Sequence, residues 1–125
     1  MATTMIVSVE SWPIRGAFTI SRGSRTTADV VVVELRTEEH AGRGECVPYP
    51  RYGESPDTVQ GVLDGMKSYI ESGVDRETLR DVMPAGAARN AVDAALWDLE
   101  AKQEGKRVWE LAGLPEPVPL ATAYT

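Results

Sequence analysis

The spacing of the apolar residues changes at Gly53, from every second position before it to every third or fourth position after it. Alternation is typical of a strand, whose successive side chains point to opposite faces, whereas a period of about 3.6 is typical of a helix. The strands of this chain therefore come first and its helices second. This order predicts an α+β fold, a three-stranded antiparallel meander followed by a helical bundle.

Three strand-like segments precede the change. The first, TMIVSVESW, alternates and places Met5, Val7 and Val9 on one face. The second, TADVVVVELRT, has apolar side chains on both faces, which indicates a central strand. A turn then leads to a third, short strand that ends at Val47.

Two helix starts follow. Ser55 can act as the N-cap of a helix whose first residue is Pro56, and Gly73 is expected to end that helix. Asp75 can cap a shorter helix that ends before Pro84. The apolar residues of the first helix are Val59, Val62, Leu63, Met66, Tyr69 and Ile70.

A third helix has the strongest pattern, and small residues dominate its apolar stripe. Alanine side chains permit close packing, so we expect the sheet to pack on Ala91, Ala95 and Leu99. Gly105 is expected to end this helix, and KRVWELAGL predicts one more short helix. The complete stripe is Ala88, Ala91, Val92, Ala95, Leu96 and Leu99.

Composition argues against several classes of function. The formal charge is −6 and the arginines are scattered, which disfavours binding to nucleic acid or to an anionic membrane. A single cysteine, Cys46, cannot form a disulfide within the chain, and no cysteine–histidine cluster suggests a zinc site. Without a signal-like opening or a long apolar run, the expected location is the cytoplasm.

The end of the chain resembles the start of a new strand. PLATAYT alternates after the proline-rich PEPVP and then stops. A strand that begins after such a linker normally belongs to the next domain. We therefore expect one domain over residues 1–118, with residues 119–125 as the start of a truncated strand.

Two segments have side chains suited to binding. RGSR brings Arg22 and Arg25 close together, and guanidinium groups can hold a carboxylate through two N–H bonds. The alternative is a solvated loop. In GECVPYPRYGES, Tyr49, Arg51 and Tyr52 could form the wall of a pocket, although the same aromatics could simply pack against the sheet.

Other polar residues predict structural roles. Glu45 is expected to pair with an arginine such as Arg89, and Cys46 is expected to be a small buried apolar residue. No nucleophile–base arrangement can be recognised, so no catalytic residue is assigned in this chain.

Four segments together, in order and over nearly the whole chain, resemble the N-terminal capping domain of the enolase superfamily. Within it they resemble the muconate-cycloisomerase-like dipeptide epimerases, of the L-Ala-D/L-Glu epimerase type. RGSR with GECVPYPRYGE is the most specific part of the resemblance. The segments are FTISRGSRTTADVVVVEL, GRGECVPYPRYGES, MPAGAARNAVDAALWDLEAKQEG and ATAYT.

The resemblance implies a cap over a modified (β/α) barrel, with substrate-facing loops that match Arg15 to Thr27 and Val47 to Glu54. It implies that two barrel lysines move the α-proton of a dipeptide while Mg²⁺, held by three barrel acids, stabilises the enediolate. This sequence has no Lys-x-Lys. Catalytic residues and metal ligands are therefore expected beyond residue 125, with ATAYT as the first barrel strand and the chain alone inactive and without tight Mg²⁺ binding.

The resemblance also implies the partners: a small dipeptide substrate bound by Arg22, Arg25, Tyr49, Arg51 and Tyr52, the barrel domain, and a homo-oligomer. Two alternatives stay open. One is another superfamily branch, such as an N-acylamino acid racemase, an o-succinylbenzoate synthase or a muconate cycloisomerase. The other is a free-standing cap that acts as a binding module, which would need a polar surface where the barrel would sit.

Overall fold

The structure is a computed structural model that describes residues 2–20 and 23–123. Three antiparallel strands form one sheet in the order β1 (Thr4–Ile20), β2 (Gly23–Arg36) and β3 (Ala41–Cys46). A 3₁₀ turn at Pro50–Tyr52 links the sheet to the helices. The helices are α1 (Pro56–Glu71), α2 (Arg76–Val82), α3 (Ala87–Glu104) and α4 (Val108–Leu111). The predicted α+β class, with a meander before the helices, is confirmed.

Helix α3 lies directly on β3, in what we call the β3–α3 seam. A Cβ atom at Gly44 would lie 2.1 Å from the carbonyl oxygen of Ala91, and one at Gly42 would lie 2.2 Å from that of Ala95. Strand and helix approach this closely because neither glycine has a side chain and the facing residues are small. The predicted packing of the sheet on Ala91, Ala95 and Leu99 is confirmed.

The core lies between one face of the sheet and the helices. Val31, Val33 and Leu35 of β2 are fully buried there, as are Leu63 of α1 and Val92 of α3. Each buries a branched side chain, worth about 1.5 to 3 kcal/mol of unfolding free energy. β2 is thus the central strand that its sequence predicts.

Not every residue of the predicted α1 stripe is in the core. Val62 is 46% exposed and Tyr69 is 45% exposed. Both sit at the margin of the apolar stripe, because the sheet covers only the side of α1 that contains Val59, Leu63 and Ile70.

The helix boundaries follow the predicted capping residues. The hydroxyl of Ser55 accepts the N–H of Thr58 at 3.1 Å, and the carboxylate of Asp75 accepts the N–H of Thr78 at 2.7 Å. Gly105 ends α3 with φ 66°, a left-handed conformation that favours glycine.

Side chains of α3 bond the outer edge of β3. Lys102 Nζ donates to the carbonyl oxygen of Ala41 at 2.8 Å, and the backbone N–H of Arg43 donates to Asp98 Oδ2 at 2.8 Å. Lys102 and Asp98 also form an ion pair at 2.8 Å. These bonds satisfy strand groups that would otherwise need a fourth strand or water.

The first predicted loop is in fact part of a long hairpin. β1 runs 17 residues and continues to Ile20, with a register shift between Pro13 and Phe18, and β2 starts at Gly23. The expectation that Arg15 to Thr27 is a substrate-facing loop is therefore wrong about the backbone of residues 15–20 and 23–27, which are strand. Backbone pairing across the hairpin satisfies N–H and C=O groups that a loop would leave to water.

Two further expectations concern Glu45 and the end of the chain. Glu45 lies 3.8 Å from Arg43, so its predicted ion pair with an arginine is confirmed. The partner is not Arg89, which donates to the carbonyl oxygen of Met83 at 3.2 Å. Residues 119–123 belong to no helix or strand, and residues 124 and 125 lie outside the described residues. The predicted boundary at residue 118 stays a prediction.

Within residues 2–20 and 23–123, no helix is both long enough and apolar enough to cross a bilayer.

Candidate functional site

The end of the β1–β2 hairpin and the segment Val47–Glu54, which we call the roof loop, enclose a cleft of about 650 Å³. Binding sites for small molecules commonly have volumes of about 300 to 1,000 Å³. The hairpin side is lined by Phe18, Ile20, Gly23, Ser24, Arg25 and Asp29, and the other side by Pro48, Tyr49, Pro50, Arg51, Glu54, Ser55 and Pro56.

Strand register places Arg25 on the cleft side. Arg25 pairs with Phe18 and Gly23 pairs with Ile20, so these residues share one face of the hairpin. The guanidinium carbon of Arg25 lies 5.2 Å from the centre of the Tyr49 ring. This cation–π contact joins the hairpin to the roof loop.

The roof loop has a defined backbone. The N–H of Tyr52 donates to the carbonyl oxygen of Tyr49 at 2.9 Å, which closes the 3₁₀ turn. Gly53 follows with φ 71°, a conformation that a side chain would strain. The Tyr49 and Tyr52 rings are 6.0 Å apart and tilted by 44°. The prolines and these bonds fix the position of Tyr49 below Arg25.

The structure brings together three of the five predicted binding residues. Arg25, Tyr49 and Arg51 line the cleft. Tyr52 is 73% exposed and lines a neighbouring depression, which it shares with Arg25 and Tyr49. Arg22 lies outside the described residues.

Phe18, Ile20 and Glu54 line the cleft but are absent from the predicted set. The alternation of Phe18 and Ile20 in AFTI could have indicated that the first strand continues past Trp12 and places both side chains on one face. Glu54 gave no local signal, because its carboxylate accepts the N–H of Ala87, 33 positions away, at 2.9 Å.

Cys46 lies behind the roof loop and is buried, as predicted. Burial raises the pKa of its thiol to about 11, and the negative charges of Glu54 and Glu45 add to that rise. Its S–H donates to the carbonyl oxygen of Val31 at 3.6 Å, a hydrogen bond that only the protonated thiol can make. The thiol stays protonated at neutral pH and is not an activated nucleophile.

The chemistry of the described cleft residues suits one class of ligand. Two guanidinium groups and a tyrosine suit a carboxylate ligand, and Phe18 and Ile20 add apolar contact. Across residues 2–20 and 23–123, no three His, Cys, Asp or Glu side chains come together as a metal site would need. The described residues thus do not fit a Mg²⁺ ion.

Comparison with known proteins identifies the family. Residues 1–113 match the family model described as mandelate racemase / muconate lactonizing enzyme, N-terminal domain. The chain belongs to this family. It is a member of the enolase superfamily, and its solved structural neighbours include dipeptide epimerases.

Individual relatives share both sequence and fold. The chain is 48% identical over 122 residues to the L-Ala-D/L-Glu epimerase of Escherichia coli K12, covering 98% of this chain and 38% of that protein. An enolase family member from Agrobacterium tumefaciens with homology to dipeptide epimerases, solved with sodium and L-Ala-L-Glu, matches with a TM-score of 0.86 and 49% identity, over 90% of this chain and 35% of that one.

A third relative was solved with a metal. The dipeptide epimerase of Methylococcus capsulatus, complexed with Mg and L-Arg-D-Lys, matches with a TM-score of 0.76 and 30% identity, over 90% of this chain and 35% of that one. The chain thus spans little more than a third of the length of the relatives described, and the match is to their N-terminal part.

Proposed function

We propose that this chain is the substrate-capping part of an isomerase that epimerises dipeptides such as L-Ala-L-Glu by 1,1-proton transfer. The observation that carries the proposal is 48% identity to an L-Ala-D/L-Glu epimerase over 98% of the chain. The cleft between the hairpin and the roof loop supports it, because it combines a carboxylate-binding arginine with apolar and aromatic walls.

The proposed division of labour follows from the residues present. Removal of an α-proton next to a carboxylate needs bases at that carbon and strong stabilisation of the resulting anion. The described residues provide neither, so the bases, the Mg²⁺ and its ligands are placed in a (β/α) barrel, with residues 119–125 as the beginning of its first strand. Mg²⁺ would supply positive charge for the enediolate.

The cap would bind the outer part of the dipeptide. Arg25 can pair with a side-chain carboxylate, held in place by its contact with Tyr49. Arg51 adds a second cation at the rim, and Tyr52 is assigned to the outer edge. Phe18 and Ile20 supply an apolar wall that, beneath a covering barrel, would help to exclude water and strengthen the charge pairing. Arg22 remains a second candidate for the carboxylate, and the cytoplasmic location and a homo-oligomer belong to the same proposal.

Exposed apolar residues argue against a free-standing binding module. Leu114, Val118 and Leu120 are 60%, 69% and 82% exposed in the segment after α4. A surface built only for solvent would seldom contain such a run. These residues support a covering domain in the proposed enzyme.

A domain exchange tests the proposal. This chain would replace the matching 122 residues of the E. coli epimerase, and exchange of the α-proton of L-Ala-L-Glu in D₂O would be followed by NMR. We expect the fusion to catalyse exchange, and both the chain alone and the E. coli remainder alone to be inactive. A fusion that unfolds cooperatively yet catalyses no exchange would contradict the proposal, as would turnover by the chain alone. Parallel assays with N-acetyl-glutamate and N-succinyl amino acids would separate the other superfamily branches.

A further inference from the structure

Glu54 joins two parts of the fold that are distant in sequence. Its Oε2 atom accepts the backbone N–H of Ala87, the first residue of α3, at 2.9 Å. Its own backbone N–H donates to the carbonyl oxygen of Tyr49 at 3.3 Å. One residue therefore closes the roof loop and attaches it to a helix 33 positions away.

Helix α3 depends on this attachment for its cap. The residue before the helix is Gly86, which has no side chain to accept a hydrogen bond, and the first turn of α3 has no acidic residue. The first N–H groups of a helix lack partners within it and carry partial positive charge. The Glu54 carboxylate supplies both an acceptor and a negative charge at that end.

Gly86 also leaves room for the carboxylate. A Cβ atom at position 86 would lie 3.2 Å from Glu54 Oε2, which is closer than ordinary van der Waals contact. The absence of a side chain at Gly86 therefore gives Glu54 access to the Ala87 N–H.

The attachment determines where Tyr49 lies. Between Tyr49 and Glu54 the loop is a single 3₁₀ turn ended by Gly53, so displacement of Glu54 would move the whole turn. Tyr49 contacts Arg25 through its ring at 5.2 Å. Glu54 itself lines the cleft on the same side as Tyr49.

We infer that Glu54 is a positioning residue, which holds Tyr49 under Arg25 by bonding the roof loop to the N-terminus of α3. Its consequence for the enzyme rests on the proposed function, because Arg25 there binds the substrate carboxylate. A displaced guanidinium would weaken substrate binding without touching the reacting carbon. The loss is therefore expected in KM more than in kcat.

Asp75 offers a matched control. It too is a carboxylate that caps a helix, by accepting the N–H of Thr78 at 2.7 Å, but it caps α2 and does not line the cleft. Glu54→Ala and Asp75→Ala each remove one helix cap, so both should lower the Tm of the chain by a similar amount, about 5 °C. Only Glu54→Ala should disturb the Arg25–Tyr49 contact.

NMR on the 125-residue chain is the deciding experiment. The Arg25 side-chain protons should show a ring-current shift from Tyr49 that is lost in Glu54→Ala and kept in Asp75→Ala. Glu54→Gln should keep it, because the amide oxygen can still accept the Ala87 N–H. If Glu54→Ala keeps the shift, or if Asp75→Ala loses it equally, the inference is wrong.

Kinetics on the active fusion add a second readout. Glu54→Ala should raise KM for L-Ala-L-Glu about tenfold with little change in kcat, and Glu54→Gln should stay within about threefold of the parent. Equal KM values for Glu54→Ala and Asp75→Ala would overturn the positioning role. An inactive fusion would instead count against the proposed function, since the NMR result does not depend on activity.

Discussion

The β3–α3 seam and the cleft are built on different principles. In the seam, backbone meets backbone, with Gly42 and Gly44 facing the carbonyl oxygens of Ala95 and Ala91. In the cleft, side chains from a hairpin and a loop meet through one cation–π contact, and the loop is attached by one carboxylate.

Because of this difference, the seam and the cleft should respond differently to substitution. The seam has no free volume, so an added methyl group must displace a strand or a helix. The cleft is open, and side chains on its walls such as Phe18, Arg25 and Arg51 can change without displacing a packed strand or helix. We infer that the fold depends mainly on the seam and that ligand preference depends mainly on the cleft.

The largest expected effect is in the seam. Gly44→Ala would place a Cβ atom 2.1 Å from the Ala91 carbonyl oxygen, and we expect it to lower the free energy of unfolding by about 3 kcal/mol or more. Urea denaturation of the chain, followed by circular dichroism, measures this change.

Gly61→Ala is the control for that substitution. Gly61 lies inside α1 with nothing within 4 Å of its Cβ position, so alanine should raise the free energy of unfolding by about 0.5 to 1 kcal/mol. Equal effects at Gly44 and Gly61 would show that the seam is looser than its distances indicate.

The next effect is in the cleft and concerns substrate choice. In the active fusion, Arg25→Ala should lower kcat/KM for L-Ala-L-Glu by about 10- to 150-fold, because a charge-assisted bond is worth about 1.5 to 3 kcal/mol. A dipeptide with a neutral second residue should be affected much less, and Arg25→Lys should recover only part of the loss.

Arg22→Ala serves as the comparison, since Arg22 is the other candidate for the same carboxylate. If Arg22→Ala, and not Arg25→Ala, selectively lowers kcat/KM for L-Ala-L-Glu, then Arg22 is the residue that binds the carboxylate. If both variants slow acidic and neutral dipeptides equally, neither arginine selects the substrate.

The smallest expected effect depends on pH and concerns Asp98, which lies at the edge of the β3–α3 seam. Burial disfavours the charged form of Asp98, but hydrogen bonds from Lys102 and from the Arg43 N–H, with the charge of Lys102, outweigh it and lower the pKa of Asp98 below its ordinary value of 3.8. Asp98→Asn should cost about 1 kcal/mol of unfolding free energy at pH 7.

The sign of the pH dependence follows from the lowered pKa. The stabilisation is present above the unfolded-state pKa of Asp98 and is lost as the pH falls through the folded-state value. The difference between the parent chain and Asp98→Asn should therefore shrink below about pH 4. Asp64→Asn, at an exposed position on α1, should show little difference at either pH, and a constant gap for Asp98→Asn would contradict the assignment.

Much of the fold could be predicted because its signals are local. Ser55 and Asp75 cap the helices that they were expected to cap, and Gly105 ends α3. Each signal acts within one helical turn, where the hydrogen bond that it makes does not depend on the rest of the fold. Val62 and Tyr69 of the α1 stripe are nevertheless exposed, because periodicity gives the direction of an apolar stripe more reliably than its width.

The site was predictable only in part. Arg25, Tyr49 and Arg51, singled out from the sequence, line one cleft, and Tyr52 lines a depression beside it together with Arg25 and Tyr49. The segment from Arg15 to Thr27, however, was expected to be a loop. Phe18 and Ile20 were missed because the first strand was expected to end near Trp12, and a register shift after Pro13 decides which residues oppose Arg25.

By itself, the sequence determined the order of strands and helices, the caps of α1 and α2, and the small-residue stripe on which the sheet packs. Only the tertiary structure decided that Arg25 lies over Tyr49 and that Glu54 caps α3. The caps by Ser55 and Asp75 and the periodicity involve neighbours a few residues apart, so a local pattern is enough to specify them. The two contacts in the cleft depend on strand register and on the docking of α3 against β3, which are set by the packing of the whole domain.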